Sequence, residues 1–97
     1  MAKKYVVDYT KNFKKQYIKM KKRGKDLNKL HDVIEKLLTG KKLDTKYKNH
    51  KLVNDKNFVD CMECHIEPDW LLIYKVVDTE LVLLLLQTGT HSDLFKK

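Results

Sequence analysis

Six consecutive apolar residues, Leu81-Val82-Leu83-Leu84-Leu85-Leu86, constrain the fold more than any other stretch of this 97-residue chain. Side chains along a strand point alternately to opposite faces, so a strand with one wet face alternates apolar and polar. Here both faces are apolar, so the segment 81–88 is expected to be a central strand or one covered on both faces. It is far too short to cross a bilayer, which takes about 20 residues. Two more strand patterns precede it, at 58–66 and 70–77. Glu67-Pro68-Asp69 joins them as a turn with proline at its second position, and Asp78-Thr79 and Gly89 supply the remaining breaks. The three strands are expected as an antiparallel meander.

The cover comes from the first half of the chain. Tyr5-Val6-Val7-Asp8-Tyr9 is short, β-branched and aromatic, and reads as a first strand. Thr10 can cap a helix that carries Phe13, Tyr17 and Met20 on one face and stops at Gly24. Asp26 can cap a second, with Leu27, Leu30, Ile34, Leu37 and Leu38 on one face and Gly40 as its stop. An αα-hairpin with one apolar side must bury that side. The order is β-α-α-β-β-β. It predicts a single α+β domain over residues 1–97, an antiparallel sheet with the two-helix hairpin on one face. Residues 41–57 read as a polar loop anchored by Leu43, Tyr47, Leu52 and Val53. A loop this long in a small domain is usually functional. Residues 90–97 read as a short tail or helical turn.

Charge is divided unevenly. The chain carries 21 basic and 13 acidic side chains, yet residues 1–51 hold 17 basic against 5 acidic, and residues 52–97 hold 4 against 8. A half-molecule this positive attracts polyanions, nucleic acid first among them, with an anionic membrane surface as the rival. Lys14, Lys15, Lys21, Lys22 and Lys25 fall outside the helical apolar stripes, and Lys48 and Lys51 lie in the loop. All seven are candidate RNA-phosphate contacts. MAKKYVVDYT lacks an apolar run of signal-peptide length, so the two cysteines read as free thiols of a reducing, cytoplasmic compartment. Cys61-Met62-Glu63-Cys64-His65 spells a haem-attachment pattern. Residues three apart on a strand face opposite ways, however, so neither haem nor zinc is expected and both cysteines read as packing residues.

The chemistry rests on histidine. His31 lies within the second helix among lysines and reads as a surface residue. His50, His65 and His91 stand in the loop, at a strand end and after the last strand. Cleaving an RNA phosphodiester needs a base for the 2′-OH, an acid for the departing 5′ oxygen, and donors for the charge on phosphorus. Imidazole can fill either proton role near neutral pH without a metal or cofactor. Glu63 and His65, two apart, share a strand face. Glu63 and Asp69 are placed to orient imidazoles, and Trp70 and Phe95 offer planes for stacking an unpaired base.

These residues also carry a resemblance. Tyr47-Lys48-Asn49-His50, then His65-Ile66-Glu67-Pro68-Asp69-Trp70-Leu71-Leu72-Ile73-Tyr74-Lys75, then Thr88-Gly89-Thr90-His91-Ser92-Asp93-Leu94-Phe95 resemble the YafQ-type branch of the RelE/ParE toxin superfamily. The likeness runs from Tyr5 to the C-terminus. It implies a bacterial toxin that enters the ribosome and cuts the mRNA under translation, and that a cognate acidic antitoxin neutralises. On that resemblance His50, His65, Asp69 and His91 match catalytic positions, Glu63 an acidic position beside them, and Trp70 and Phe95 the wall of the site. Gln87 stands where the family pattern has arginine, so a fixed cation is missing and a lysine such as Lys48 or Lys51 would have to supply the charge. The alternatives are a ribosome-independent ribonuclease, or a non-catalytic binding member of the superfamily that acts like its gyrase inhibitors.

Overall fold

The computed structural model describes residues 5–52 and 58–95. Strand β1 (Val6–Tyr9) leads into helix α1 (Lys11–Lys22), whose first turn is closed by the Thr10 hydroxyl accepting from the Phe13 amide. Asp26 does the same for helix α2 (Leu27–Leu38) by accepting from the Asn28 amide. The expected caps are therefore the actual ones, and they satisfy donors that the helix itself leaves unpaired. Strands β2 (His50–Lys51), β3 (Met62–Glu67), β4 (Trp70–Val77) and β5 (Val82–Gly89) follow, and a short helix α3 (His91–Leu94) closes the order.

The sheet runs β1-β5-β4-β3-β2. Its neighbours are antiparallel except at one edge, where β1 lies parallel to β5 with Val6 opposite Val82. No hairpin can make that pairing. The chain returns to β1 only after both helices and three strands. The loop expected at 41–57 contains a 3-10 turn, Thr45–Tyr47, and the two-residue strand β2. Its Val53 anchor lies outside the described residues. Strand β3 starts at Met62 rather than at 58, because residues 58–60 turn, with Asp60 at φ 59.

Both faces of the sheet are covered, in keeping with the leucine run. Phe13 and Met20 of α1 and Leu30, Val33 and Leu37 of α2 pack on Cys64, Ile66, Trp70, Leu72, Tyr74, Leu83 and Leu85. On the other face Phe58, Cys61 and Ile73 form a second cluster with Leu52, Leu86, Leu94 and Phe95. The register between β4 and β5 shifts after Ile73–Gln87, the next pair being Tyr74–Leu85. Leu86 is the extra residue of this bulge and joins the second cluster while Leu83 and Leu85 face the helices. Cys61 and Cys64 are buried in different clusters, on opposite faces, as the strand geometry required. No helix among the described residues is long and apolar enough to cross a membrane.

One buried polar pair ties the middle of this core together. The Trp70 indole donates to Thr88 Oγ1 at 2.9 Å, and that hydroxyl donates to the Leu71 carbonyl at 2.7 Å, both side chains being wholly buried. Thr88→Val keeps the shape but strands the indole N–H. It is expected to lower unfolding free energy by about 1–3 kcal/mol. Urea denaturation reads this as a lower midpoint with the same slope, and an unmoved midpoint would show that the pair contributes nothing.

Candidate active site

The site forms on the sheet face turned away from α1 and α2, and register builds it. Glu63 and His65 alternate onto this face of β3, and β2 pairs so that His50 stands directly opposite Glu63. Glu63 is only 6% exposed. A buried carboxylate needs paired donors, and its Oε1 lies 3.3 Å from His50 Nε2 and 3.5 Å from His65 Nε2. The backbone before His50 is shaped for this. Lys48 adopts left-handed φ 48, and its carbonyl meets His50 Nδ1 at 2.7 Å. The neighbouring Asn49 accepts from the Tyr74 hydroxyl at 2.6 Å, which fastens the loop to β4.

His91 arrives from the other side. It is the first residue of α3, whose start is a capping box. The Thr90 hydroxyl accepts from the Asp93 amide while the Asp93 carboxylate accepts from the Thr90 amide. The same carboxylate takes Arg23 of α1 in two-pronged fashion, at 2.8 and 3.2 Å, with Lys19 at 3.5 Å. Gly89 must be glycine here, since a Cβ at its φ of 157 would sit 3.0 Å from the Asp93 Cβ. Asp69, in the β3–β4 turn, then fixes the imidazole. It accepts from the His91 backbone at 3.0 Å and from its Nδ1 at 2.6 Å. These two bonds, the backbone one first, hold the Asp69 carboxyl below its usual range.

The three imidazoles therefore share one cleft. Ring centroids are 6.3 Å apart for His50–His65 and 5.7 Å for His65–His91. His31 is exposed and away from it, stacked on Tyr17 with its Nε2 2.8 Å from that hydroxyl. Phe95 borders the second cluster, edge-on to Phe58 at 6.3 Å and only partly buried. Trp70 overturns its expectation. It is fully buried among the helix-facing side chains and offers no plane to a base, because its parity on β4 sends it to the helix side. Gln87 Oε1 accepts from Gln16 of α1 at 3.2 Å, so its amide is engaged with a helix, not with the imidazoles.

The lysines divide. Lys14, Lys15, Lys21 and Lys22 are exposed on α1. Lys25 is half-buried, paired to Glu67 at 3.0 Å and resting over the Trp70 ring. Lys51 is exposed, 3.9 Å from Asp60. Lys48 lies beside His65. Sequence reasoning passed over Arg23 and Asp93. The Thr90-x-x-Asp93 spacing was a visible capping signal, but nothing local points to an arginine 70 positions away. Three imidazoles with two carboxylates in one cleft are equipped for paired proton transfers. Among the described residues no group of three or more His, Cys, Asp or Glu is arranged to hold a metal ion.

Comparison with known proteins places this site in context. A family model described as the bacterial toxin of a type II toxin-antitoxin system, YafQ, matches residues 5–96. The mRNA interferase toxin YafQ of Escherichia coli K12 is 37% identical over 91 residues, covering 92% of this chain and 94% of the relative. Among solved structures, the E. coli DinJ–YafQ complex superposes with TM-score 0.84 at 35% identity, over 95% of this chain and 99% of that one. A metal-bound toxin from Helicobacter pylori does so with TM-score 0.84 at 37% identity, over 98% and 100%.

The Asp93 clasp has a signature in pH. Arg23 and then the Thr90 amide hold the Asp93 carboxyl far below its ordinary 3.8. A carboxyl lowered by folding stabilises the fold above its unfolded value and loses that contribution as pH falls toward its folded one. Wild-type unfolding free energy should therefore drop between about pH 5 and pH 2, and Asp93→Asn should drop less steeply. Urea titrations at stepped pH read the two slopes. Equal slopes would remove the clasp from the account.

Proposed function

The chain belongs to the YafQ family of bacterial type II toxins and is an mRNA interferase, an endoribonuclease; from that membership we propose how its cleft cuts RNA and what it binds. The 2′-OH of the substrate attacks the adjacent phosphorus, the bond to the 5′ oxygen breaks, and the products are a 2′,3′-cyclic phosphate and a 5′-OH end. The observation that carries this reading is the row of imidazoles, each backed by a carboxylate.

His50 is the base. A carbonyl can only accept, so in the neutral ring the proton sits at Nδ1 against Lys48 and the lone pair at Nε2, and His65 Nε2 is then the donor that Glu63 keeps. Once Nε2 has taken the 2′-OH proton, the new imidazolium lies beside buried Glu63. His91 is the acid. Asp69 accepts from its Nδ1, stabilising the charged ring and leaving Nε2 to deliver a proton to the leaving oxygen. His65, between them and also beside Glu63, donates to the phosphoryl oxygens and supplies positive charge where Gln87 brings none. Phe95 lines the cleft as the remaining aromatic wall. No step calls for a metal.

The rest of the molecule serves binding. The exposed lysines of α1 hold ribosomal RNA backbone, so that mRNA is cut on the ribosome, in the cytoplasm. An acidic, partly disordered antitoxin covers the positive surface, a reading supported by the relative solved as a DinJ–YafQ complex.

Programmed ribosomes with mapped cut ends test the scheme. His50→Ala and His91→Ala should each lose about 10²-fold or more in cleavage rate. The wild-type rate should be bell-shaped in pH, because one imidazole must be neutral while another is protonated, and EDTA should leave it unchanged. Full activity in either variant, or abolition by EDTA, would overturn the mechanism. Lys14→Glu with Lys22→Glu should weaken ribosome binding and flatten its dependence on salt. Unchanged affinity and slope would mark that face as merely solvated.

A further inference from the structure

A groove of about 430 Å³ opens beside His65, within the size range of small-molecule sites. It exists because the β2–β3 ladder is short. The pairing ends at His50–Glu63, and the left-handed turn at Lys48 carries the chain away from the rest of β3. The strip from His65 to Pro68 becomes the floor. The 3-10 turn, with Lys46, Tyr47 and Lys48, forms one wall, and Lys29 and Asp32 of α2 form the other.

Its lining is net positive, three lysines (Lys29, Lys46, Lys48) against the carboxylates of Glu67 and Asp32. Glu67 is engaged by Lys25 at 3.0 Å and by Lys29 at 2.9 Å, which leaves that carboxylate matched. Lys46 rests its ammonium 5.1 Å over the Tyr47 ring, a contact that orients the side chain without neutralising it. Among the described residues neither Lys46 nor Lys48 is within ion-pair distance of a carboxylate. Two exposed ammonium groups therefore border a groove whose lining includes His65, the middle ring of the imidazole row.

We propose that this groove is a subsite for the phosphodiester backbone of the nucleotide next to the scissile bond, with Lys46 and Lys48 as its cations. The assignment rests on the RNA-cleaving reading of the cleft and extends it to the neighbouring phosphate. Lysine suits the task as a mobile point charge that follows a flexible single strand. The groove thus sets how much RNA the protein holds, not the chemistry at the cut.

The test uses fluorescent RNA oligonucleotides with a 2′-deoxy sugar at the cutting position, so that they bind without reacting. A dinucleotide is compared with the same dinucleotide extended by two residues on its 5′ side or its 3′ side. Wild-type protein should bind one of the extended forms about tenfold more tightly than the dinucleotide. Lys46→Glu should remove that gain and leave dinucleotide affinity as it was. Lys48→Asn, which suits a left-handed backbone, should remove part of it. If neither extension tightens wild-type binding, or Lys46→Glu keeps the full gain, the subsite is absent. Wild-type cleavage of programmed ribosomes is measured alongside. Its absence would strike the catalytic reading while the length-dependent binding stood on its own.

Discussion

A carboxylate with almost no access to water organises the functional face of this protein. Glu63 is the second residue of β3, 6% exposed, and a charge in that position is costly unless a donor reaches it. Two imidazoles reach it, one from its own strand and one from the strand opposite. The two-residue pairing of β2 with β3 thus sets His50, itself half exposed, against Glu63. The same arrangement sets one carboxylate within 3.5 Å of both rings. His91 has a separate carboxylate, in a separate turn, so the two ends of the row are governed independently.

The uneven division of charge now has a spatial meaning. The acidic residues of the second half include Glu63, Asp69 and Asp93, which orient histidines or the helix that carries one. Most of the described basic residues of the first half lie on α1, α2 and the segment after them, exposed or bordering the groove. Negative groups sit against the imidazoles, and most of the positive ones face solvent. Gln87 fits this division. Its Oε1 accepts from Gln16 of α1, so the β5 position that carries arginine in the family pattern adds no positive charge to the second half.

The helices were legible because capping and periodicity are local signals. Thr10, Gly24, Asp26 and Gly40 each act through neighbours a few residues away. Glu63 and His65 were legible as partners because strand alternation is local too. Trp70 was not. Trp70, Leu71, Leu72, Ile73 and Tyr74 are all buried, so β4 shows no alternation to reveal which parity meets the helices and which meets the cleft. The parallel β1–β5 pairing and the Arg23–Asp93 contact join segments about 70 or more residues apart, and neither leaves a periodic trace. The short strand β2 depends on a partner across the sheet and has no propensity of its own to announce it.

The pairing of β1 with β5 also bears on timing. β1 is made well before the strand it lies beside, since both helices and three strands come between them, and His91 follows that strand. Until β5 is inserted, its place between β1 and β4 is empty, and the third imidazole has nowhere to dock. An incomplete chain therefore carries His50, Glu63 and His65 without the opposing ring. The row of three rings is thus completed through contacts of high sequence separation, the kind that folding forms slowly.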